Sequence, residues 1–180
     1  MNASLKIILE TNRLFLRRLV IDDLNDLFAL YRDPEIRRYF PDGVLNLEET
    51  KEELEWFLNG HPEHPELGLW ATIHKDTGRF IGRCGLLPWT IAGRDEVEIA
   101  YLLDKAFWQQ GLATEAAQGL LHYCFEQLHL TRVICLMAPE NQASQRVAQK
   151  IGMTLEQTVD GIAGDNFPTL IYAIDRPAGR

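Results

Sequence analysis

Trp108-Gln109-Gln110-Gly111-Leu112-Ala113-Thr114-Glu115-Ala116 is the stretch that decides the fold, because a glycine and small residues stand where an apolar strand gives way to a long helix. At a helix start the first backbone N–H groups have no partner within the helix, and the helix dipole adds about half a positive charge. Such a junction can bind a phosphate without a cationic side chain, and Gly111 lets the ligand approach the backbone closely. The same residues also suit an ordinary connecting turn, so the stretch alone leaves both interpretations open.

The segments on either side of this junction predict a strand before it and a helix after it. Between Asp95 and Leu103, apolar and acidic residues alternate with the period of two that is typical of a strand. From Leu112 to Leu128, apolar residues recur at every fourth position opposite a polar face, which predicts an amphipathic helix. The predicted anion site therefore lies between a strand and the start of a helix.

Composition limits the class of protein. A chain of 180 residues with 46% hydrophobic residues can bury the core of one domain without metals or disulfides. It has no run of about 18 apolar residues, and Met1–Lys6 lacks the apolar core of a signal peptide, so we expect a cytoplasmic protein with no membrane partner. The net charge of -8 argues against direct nucleic-acid binding and favours a cationic or amine-bearing substrate. Cys84, Cys124 and Cys135 lie in apolar patterns typical of reduced core cysteines.

The order of elements predicts one α/β domain over residues 1–175, followed by a disordered C-terminal tail at 176–180. The fold class is α+β, with a mixed, mostly antiparallel twisted sheet of about seven strands flanked by about four helices. The strands are expected near 13–17, 69–74, 80–87, 95–103, 133–137, 154–159 and 168–174. The helices are expected from a cap at Asp22 to Asp33, from about Leu47 to Leu58, from Leu112 to Leu128 and from Asn141 to Ile151.

Two histidines, His61 and His64, stand in a proline-rich segment. A zinc site needs three or four ligands on a defined scaffold, and this segment has no partner motif. We therefore predict a solvated loop and no metal.

Four motifs in order resemble the GNAT superfamily of acyl-CoA-dependent N-acyltransferases, and the likeness spans nearly the whole domain. It is closest to the branch that contains the bacterial ribosomal-protein N-terminal (alanine) acetyltransferases. The motifs are Glu10–Arg17, Glu98-Ile99-Ala100-Tyr101, Trp108–Ala116, and Asn141–Ser144 with Val147, Lys150, Gly152 and Met153. The resemblance implies a GNAT-like sheet with a splayed central strand pair and an enzyme that uses acetyl-CoA and no metal.

The resemblance also implies roles for particular residues. Main-chain groups near Tyr101, Leu102 and Leu103 would pair with the pantetheine arm at the splayed strand edge. Asn141 and Ser144 would contact the cofactor, although Asn141 is also a favoured helix N-cap. The pyrophosphate would be bound by the backbone N–H groups of Gln109, Gln110, Gly111, Leu112, Ala113 and Thr114.

The chain departs from the wider family at two positions. Trp108 stands where many members have Arg or Gln, although Trp is common in the apparent branch. The tyrosine that many members use to protonate the departing thiolate falls at Ala148, so Ser144 is the nearest candidate to assist.

Amide formation requires a neutral amine, a stabilised oxyanion and a stabilised thiolate. Deprotonating a lysine at pH 7 costs about 4.6 kcal/mol and an α-amine about 1.4 kcal/mol, so a protein or peptide N-terminal α-amine is the leading acceptor. Glu98 is the candidate general base, directly or through a water. The alternative for Glu98 is a solvated strand carboxylate.

Two other functions stay open at this point. One is transfer to a small-molecule amine such as an amino acid, polyamine or antibiotic, which a small acidic pocket would favour over an open peptide groove between the early helices and the last hairpin. The other is a non-catalytic acyl-CoA-binding module. In either case we expect a monomer or a homodimer. Four aromatics border the acceptor groove in similar folds and are expected mostly in the core, namely Tyr39, Phe40, Trp70 and Trp89.

Overall fold

The computed structural model describes residues 6–162 and 167–177 of the chain, and these contain eight strands and four α-helices. The strands are β1 Ile7–Glu10, β2 Leu14–Arg18, β3 Gly68–His74, β4 Phe80–Ile91, β5 Arg94–Leu103, β6 Arg132–Met137, β7 Thr154–Asp160 and β8 Pro168–Asp175. The helices are α1 Leu24–Tyr31, α2 Leu47–Asn59, α3 Leu112–Glu126 and α4 Gln142–Lys150. The predicted fold class is confirmed, and the strand that the sequence did not predict is β1.

All eight strands form one sheet in the order β1-β2-β3-β4-β5-β6-β8-β7. Every neighbouring pair is antiparallel except β5 and β6, which are parallel and are connected through α3. The sheet is therefore mixed and mostly antiparallel.

The parallel pair is where the sheet splays. On one side β5 pairs with β4 along its whole length, from Ile91 opposite Arg94 to Gly82 opposite Leu103. On the other side its ladder with β6 contains one pair, Glu98 opposite Ile134. Beyond Glu98 the two strands diverge, so the later part of β5 has an open edge. This is the splayed central pair that the family resemblance implied.

The helices cover both faces of the sheet. Leu112, Ala116, Leu120 and Cys124 of α3 are all buried in one core cluster, as their fourfold spacing predicted. Adjacent residues of β5 belong to different clusters, Leu103 to that of α3 and Leu102 to that of α1 and α2. Since successive strand residues point to opposite faces, α1 and α2 lie across the sheet from α3.

Local hydrogen bonds determine where α1 and α2 begin. Asn46 accepts the Glu49 N–H at 3.0 Å, and the Glu49 carboxylate accepts the Asn46 N–H at 2.7 Å, a reciprocal cap that stabilises α2 by about 1 kcal/mol. Before α1, the prediction that Asp22 caps the helix is wrong. Asp23 is the buried residue, and its carboxylate accepts the Val20 N–H at 2.9 Å because the chain first makes a 3-10 turn over Ile21–Asp23.

Three further predictions concern burial and the chain end. Cys84, Cys124 and Cys135 are all free and buried. Every helix within the described ranges is too short or too polar to span a bilayer. Of the tail predicted at 176–180, Arg176 donates its N–H to the Thr131 carbonyl at 2.7 Å, and residues 178–180 lie outside the described residues.

Candidate active site

The loop between β5 and α3 has the backbone of an anion-binding nest. Gln109 has φ of 60° and Gly111 has φ of 79°, so two left-handed residues flank Gln110. Gly111 adopts this conformation without steric cost, whereas Gln109 pays about 1 kcal/mol for it. A strained non-glycine residue that persists beside a glycine turn indicates that the path of the loop is functionally constrained.

The N–H groups of this loop are available to a ligand. Within residues 6–162 and 167–177, no acceptor receives a hydrogen bond from the backbone N–H of any residue from Gln109 to Thr114. Pairing begins at Glu115, whose N–H donates to the Gly111 carbonyl at 3.0 Å. Six unpaired donors at the N-terminus of a 15-residue helix match the needs of a pyrophosphate.

A side-chain brace that the sequence did not predict holds the loop against the segment between β1 and β2. The Glu115 carboxylate accepts the Thr11 hydroxyl at 2.6 Å, the Arg13 N–H at 2.7 Å and the Arg13 Nε at 2.7 Å. Arg13 Nη1 in turn donates to the Gln110 carbonyl at 2.9 Å. Burial opposes ionisation of Glu115, but these hydrogen bonds outweigh it and lower its pKa. The brace therefore stays charged and fixes the loop at neutral pH.

Trp108 has a structural contact of its own. Its indole Nε1 donates to the Leu103 carbonyl at 2.8 Å, which fastens the end of β5 to the loop. Trp108 thus orders the backbone that carries the free donors, although it brings no positive charge to the site.

The open edge of β5 is formed by alternate residues. The Ile99 carbonyl accepts the Cys135 thiol at 3.2 Å across the sheet gap, and the Leu103 carbonyl accepts Trp108. Because alternate residues of a strand direct their peptide groups to the same side, Tyr101 also faces the opening. Leu102 alternates with these residues and its side chain is buried, and a role for its main chain in binding the donor stays a prediction.

The start of α4 lies beside this opening. The Asn141 side chain accepts the Ser144 N–H at 3.1 Å, so Asn141 is the N-cap, and its amide NH₂ has no acceptor among the described residues. The Ser144 carbonyl accepts the Tyr101 hydroxyl at 3.2 Å, which links α4 to β5. One turn later, Ala148 is fully buried.

Glu98 is a buried carboxylate rather than a solvated one. Its residue is 8% exposed, and Trp89 Nε1 donates to its carboxylate at 2.7 Å. Burial raises the pKa of Glu98 to about 7, although the Trp89 and Leu136 hydrogen bonds and the Arg83 charge lower it. The alternative of a solvated strand carboxylate is therefore wrong. A carboxylate that is half ionised at neutral pH suits a general base.

Glu96, two residues away on the same face, shows the contrast. It is 6% exposed, but it forms ion pairs with Arg94 and, at 3.1 Å, with Arg132. Glu98 has no ion pair with any residue that the structure describes. Although the two residues are similarly buried, the Glu96 carboxylate is held in ion pairs, whereas the Glu98 carboxylate can exchange a proton.

A cavity of about 470 Å³ lies next to Glu98 on the face of the sheet that α1 and α2 cover. Trp89 lines it and hydrogen-bonds Glu98, and Leu87, which also lines it, is opposite Glu98 in the ladder. Its other aromatic walls are Phe40, Trp56 and Phe57. Of the four aromatics considered from the sequence, Phe40 and Trp89 line this cavity, whereas Trp70 is in the core and Tyr39 bonds the Glu140 carbonyl.

The charged groups of the cavity occur in opposite pairs. Arg83 is 3.8 Å from the Glu53 carboxylate, and Tyr31 hydrogen-bonds both of these side chains. Arg37 lies over the Phe40 ring, 4.3 Å from its centroid, and is 2.6 Å from the Asp42 carboxylate. The cavity is therefore mostly apolar, with four aromatic walls, and it is close to neutral rather than acidic.

The proline-rich loop contributes His61 to the cavity wall. The His61 Nδ1 accepts the N–H groups of Glu63 and His64, both at 3.2 Å. Across the described ranges, no group of three or more side chains suited to a metal ion is found. These contacts give His61 a role in the shape of the loop.

A splayed sheet with unpaired helix-start N–H groups at its opening and a buried carboxylate beside it is typical of a GNAT acyltransferase. Residues 13–154 match the family model described as the acetyltransferase (GNAT) domain. The chain belongs to the GNAT family, and it is an acetyl-CoA-dependent acyltransferase.

Individual relatives agree with this assignment. An uncharacterized protein of Bacillus subtilis, YkkB, is 34% identical over 88% of this chain and 91% of its own length. An uncharacterized N-acetyltransferase of the same organism, YoaA, is 29% identical over 94% of this chain and 97% of its own. The solved structure of RimL, a ribosomal L7/L12 alpha-N-protein acetyltransferase in complex with coenzyme A, superposes with a TM-score of 0.77 at 21% identity, covering 97% of this chain and 100% of that one. At that identity the likeness concerns the fold alone.

Proposed function

We propose that this protein transfers the acetyl group of acetyl-CoA directly to the primary amine of a small molecule bound in the aromatic cavity, with Glu98 as general base. One observation carries the proposal: a buried carboxylate with a pKa of about 7 is hydrogen-bonded to Trp89, which is a wall of that cavity. Acetyl-CoA is the cosubstrate of the family.

The donor end is supported by the free backbone groups. The N–H groups of residues 109–114 would hold the pyrophosphate, and the open edge at Tyr101 and Leu103 would pair with the amides of the pantetheine arm. Leu103 would use its N–H only, because Trp108 already binds its carbonyl. Asn141 would contribute its NH₂, since its oxygen caps α4.

The acceptor end is supported by the shape of the cavity. Its volume of about 470 Å³ lies in the range of small-ligand sites, and its lining residues within the described ranges all fall between positions 37 and 89. A groove for a peptide was expected to reach the last hairpin, and the described part of β7 and β8 contributes nothing to this cavity. A compact amine with an apolar or aromatic body therefore fits better than the peptide α-amine favoured from the sequence.

The reaction needs no covalent intermediate on the protein. Glu98, ionised above about pH 7, accepts a proton from the amine as its nitrogen attacks the thioester carbon, directly or through a water. The C–N bond forms, the C–S bond breaks, and the sulfur leaves with the bonding electron pair. Water then removes the proton from Glu98 and restores the base.

A screen of amines read by mass spectrometry tests the acceptor class. The panel contains arylalkylamines, amino acids, polyamines and peptides with free N-termini, each with acetyl-CoA. We expect acetylation of arylalkylamines with the highest kcat/KM. Preference for peptides would contradict the acceptor proposal, and tight acetyl-CoA binding with no transfer to any amine would favour a non-catalytic binding module.

The base is tested by Glu98→Gln, with Glu96→Gln as the matched control on the same face. Loss of a general base lowers kcat/KM by about 10²-fold or more, and the loss is expected only at position 98 when rates are referred to folded protein. An unchanged rate and pH profile in Glu98→Gln would exclude this role.

A further inference from the structure

The departing sulfur needs a proton. By the family resemblance, the tyrosine that usually donates it falls at a position where this chain has no proton donor. That position is Ala148, which is fully buried and ends in a methyl group. Protonation of the leaving group by a positioned side chain is worth about 10²-fold to 10⁴-fold in rate. The inference that follows rests on the proposed function, because it concerns the same reaction.

Tyr101 of β5 places its hydroxyl against α4, the helix that carries Ala148. It lies on β5, and its hydroxyl donates to the Ser144 carbonyl at 3.2 Å. Ser144 is one helical turn before Ala148 on α4. Both Tyr101 and Ala148 contact the core cluster under α3, so the hydroxyl lies on the inward side of α4.

The position of Tyr101 along β5 places it on the far side of the opening from the base. Glu98 and Tyr101 are three residues apart on one strand, so their side chains point to opposite faces of the sheet. Glu98 meets the cavity through Trp89, whereas Tyr101 reaches α4. The ladder between β5 and β6 ends at Glu98, so Tyr101 flanks the gap that begins there. An amine that enters from the cavity and a sulfur held near α4 would have these two groups on opposite sides.

The protonation state of Tyr101 agrees with a donor. Burial raises the pKa of Tyr101 well above its usual value. The hydroxyl therefore keeps its proton around neutral pH, where Glu98 begins to ionise.

We propose that Tyr101 donates its hydroxyl proton to the departing sulfur, in place of the tyrosine that position 148 lacks. As the C–S bond breaks, the sulfur takes the electron pair and the Tyr101 proton, which gives the free thiol. The tyrosinate then takes a proton from water, while water receives the proton held by Glu98, so charge and protons balance. The Ser144 carbonyl keeps the hydroxyl in position between turnovers.

The test compares Tyr101→Phe with wild type using two acetyl donors. With acetyl-CoA we expect kcat to fall by about 10²-fold or more. With p-nitrophenyl acetate we expect little change, because p-nitrophenolate is a weaker base than a thiolate and leaves without a proton. Phenylalanine keeps the ring, so Tm and the Kd for acetyl-CoA should stay close to wild type.

The matched control is Tyr172→Phe. Tyr172 lies on β8 and is buried, whereas Tyr101 is partly buried, and the Tyr172 hydroxyl also meets α4, 3.4 Å from the Gln145 side chain. Among the described residues its hydroxyl hydrogen-bonds only Gln145 and Gln149 of α4, so its loss is expected to leave the ratio of the two donor rates unchanged.

A readout that does not depend on turnover is the ionisation of bound CoA. A hydrogen bond from Tyr101 stabilises the thiolate, so Tyr101→Phe should raise the pKa of the bound thiol by about 1, measured by thiolate ultraviolet absorbance. An unchanged thiol pKa, or equal loss of rate with both donors, would overturn the inference. A donor-selective loss in Ser144→Ala and not in Tyr101→Phe would assign the proton to Ser144 instead. Wild type that acetylates nothing contradicts the proposed function, and the thiol titration then still decides the role of Tyr101.

Discussion

Replacing Glu98 by glutamine is expected to make the protein more stable above neutral pH than the wild type. Burial raises the pKa of Glu98 from 4.5 to about 7, which means that the folded protein disfavours the ionised form. In the unfolded chain the same group ionises near its ordinary value. A difference of about 2.5 corresponds to about 3 kcal/mol of folding free energy.

The sign follows from proton counting. Below about pH 4.5 the carboxyl is protonated in both states and has no effect on the pH dependence of stability. Between about 4.5 and 7 the folded state binds more protons than the unfolded state, so wild-type stability falls as pH rises. Above about 7 the full penalty of about 3 kcal/mol is present, and Glu98→Gln lacks it.

The assay is urea unfolding of both proteins at several pH values from about 4.5 to 8. The test is the change with pH in the stability difference, because any constant effect of the amide on the Trp89 and Leu136 hydrogen bonds cancels. Glu96→Gln is the control, and it should destabilise the protein because it removes the charge of one buried partner of Arg132. A difference between Glu98→Gln and wild type that is flat across this range would refute the argument.

Three further predictions concern the pH profile and the donor site. Trp89→Phe removes a hydrogen bond that lowers the pKa of Glu98, so the rise of kcat/KM with pH should move to higher pH. A pH–rate profile measures this shift, and an unmoved profile would mean that this hydrogen bond does not tune the pKa of Glu98. Glu115→Gln weakens the brace to Arg13 and is expected to raise the Kd for acetyl-CoA about tenfold, with little change in kcat once the donor saturates, as measured by calorimetry and steady-state kinetics. In Gly111→Ala the added methyl group has room, 3.6 Å from Arg13 Nη2, but alanine is placed at a φ of 79°. We expect a stability loss of about 1 kcal/mol and weaker acetyl-CoA binding. Unchanged binding would contradict the role of the loop conformation.

The fold could be predicted because its main elements carry strong local patterns. The fourfold spacing of apolar residues in α3 and the alternation in β5 both survive in the structure as buried faces. β1 was missed because Ile7–Glu10 is short, continuously apolar over three residues and only partly buried, so it shows no alternation. β1 forms a strand through its pairing with β2, which its own four residues do not predict.

The site could be predicted only where a motif and a local rule coincide. Gly111 and Asn141 have conformations that follow from their own backbone positions. Alternation places Glu96 and Glu98 on one face with equal burial, and only the distant Arg132 and Trp89 distinguish them. The cavity is formed by side chains from residues 37 to 89 that are brought together by tertiary packing, so no residue spacing in the sequence predicts it.

The single ladder pair between β5 and β6 has a thermodynamic consequence. Glu98 opposite Ile134 is the one ladder pair between the two halves of the described sheet, and Glu98 is also the proton acceptor that we propose. A donor that pairs with the open edge of β5 adds hydrogen bonds just beyond this pair and displaces water from the gap. Binding of the donor and proton release from Glu98 are then linked equilibria, and each changes the other by the same factor. The affinity for acetyl-CoA should therefore vary with pH around 7.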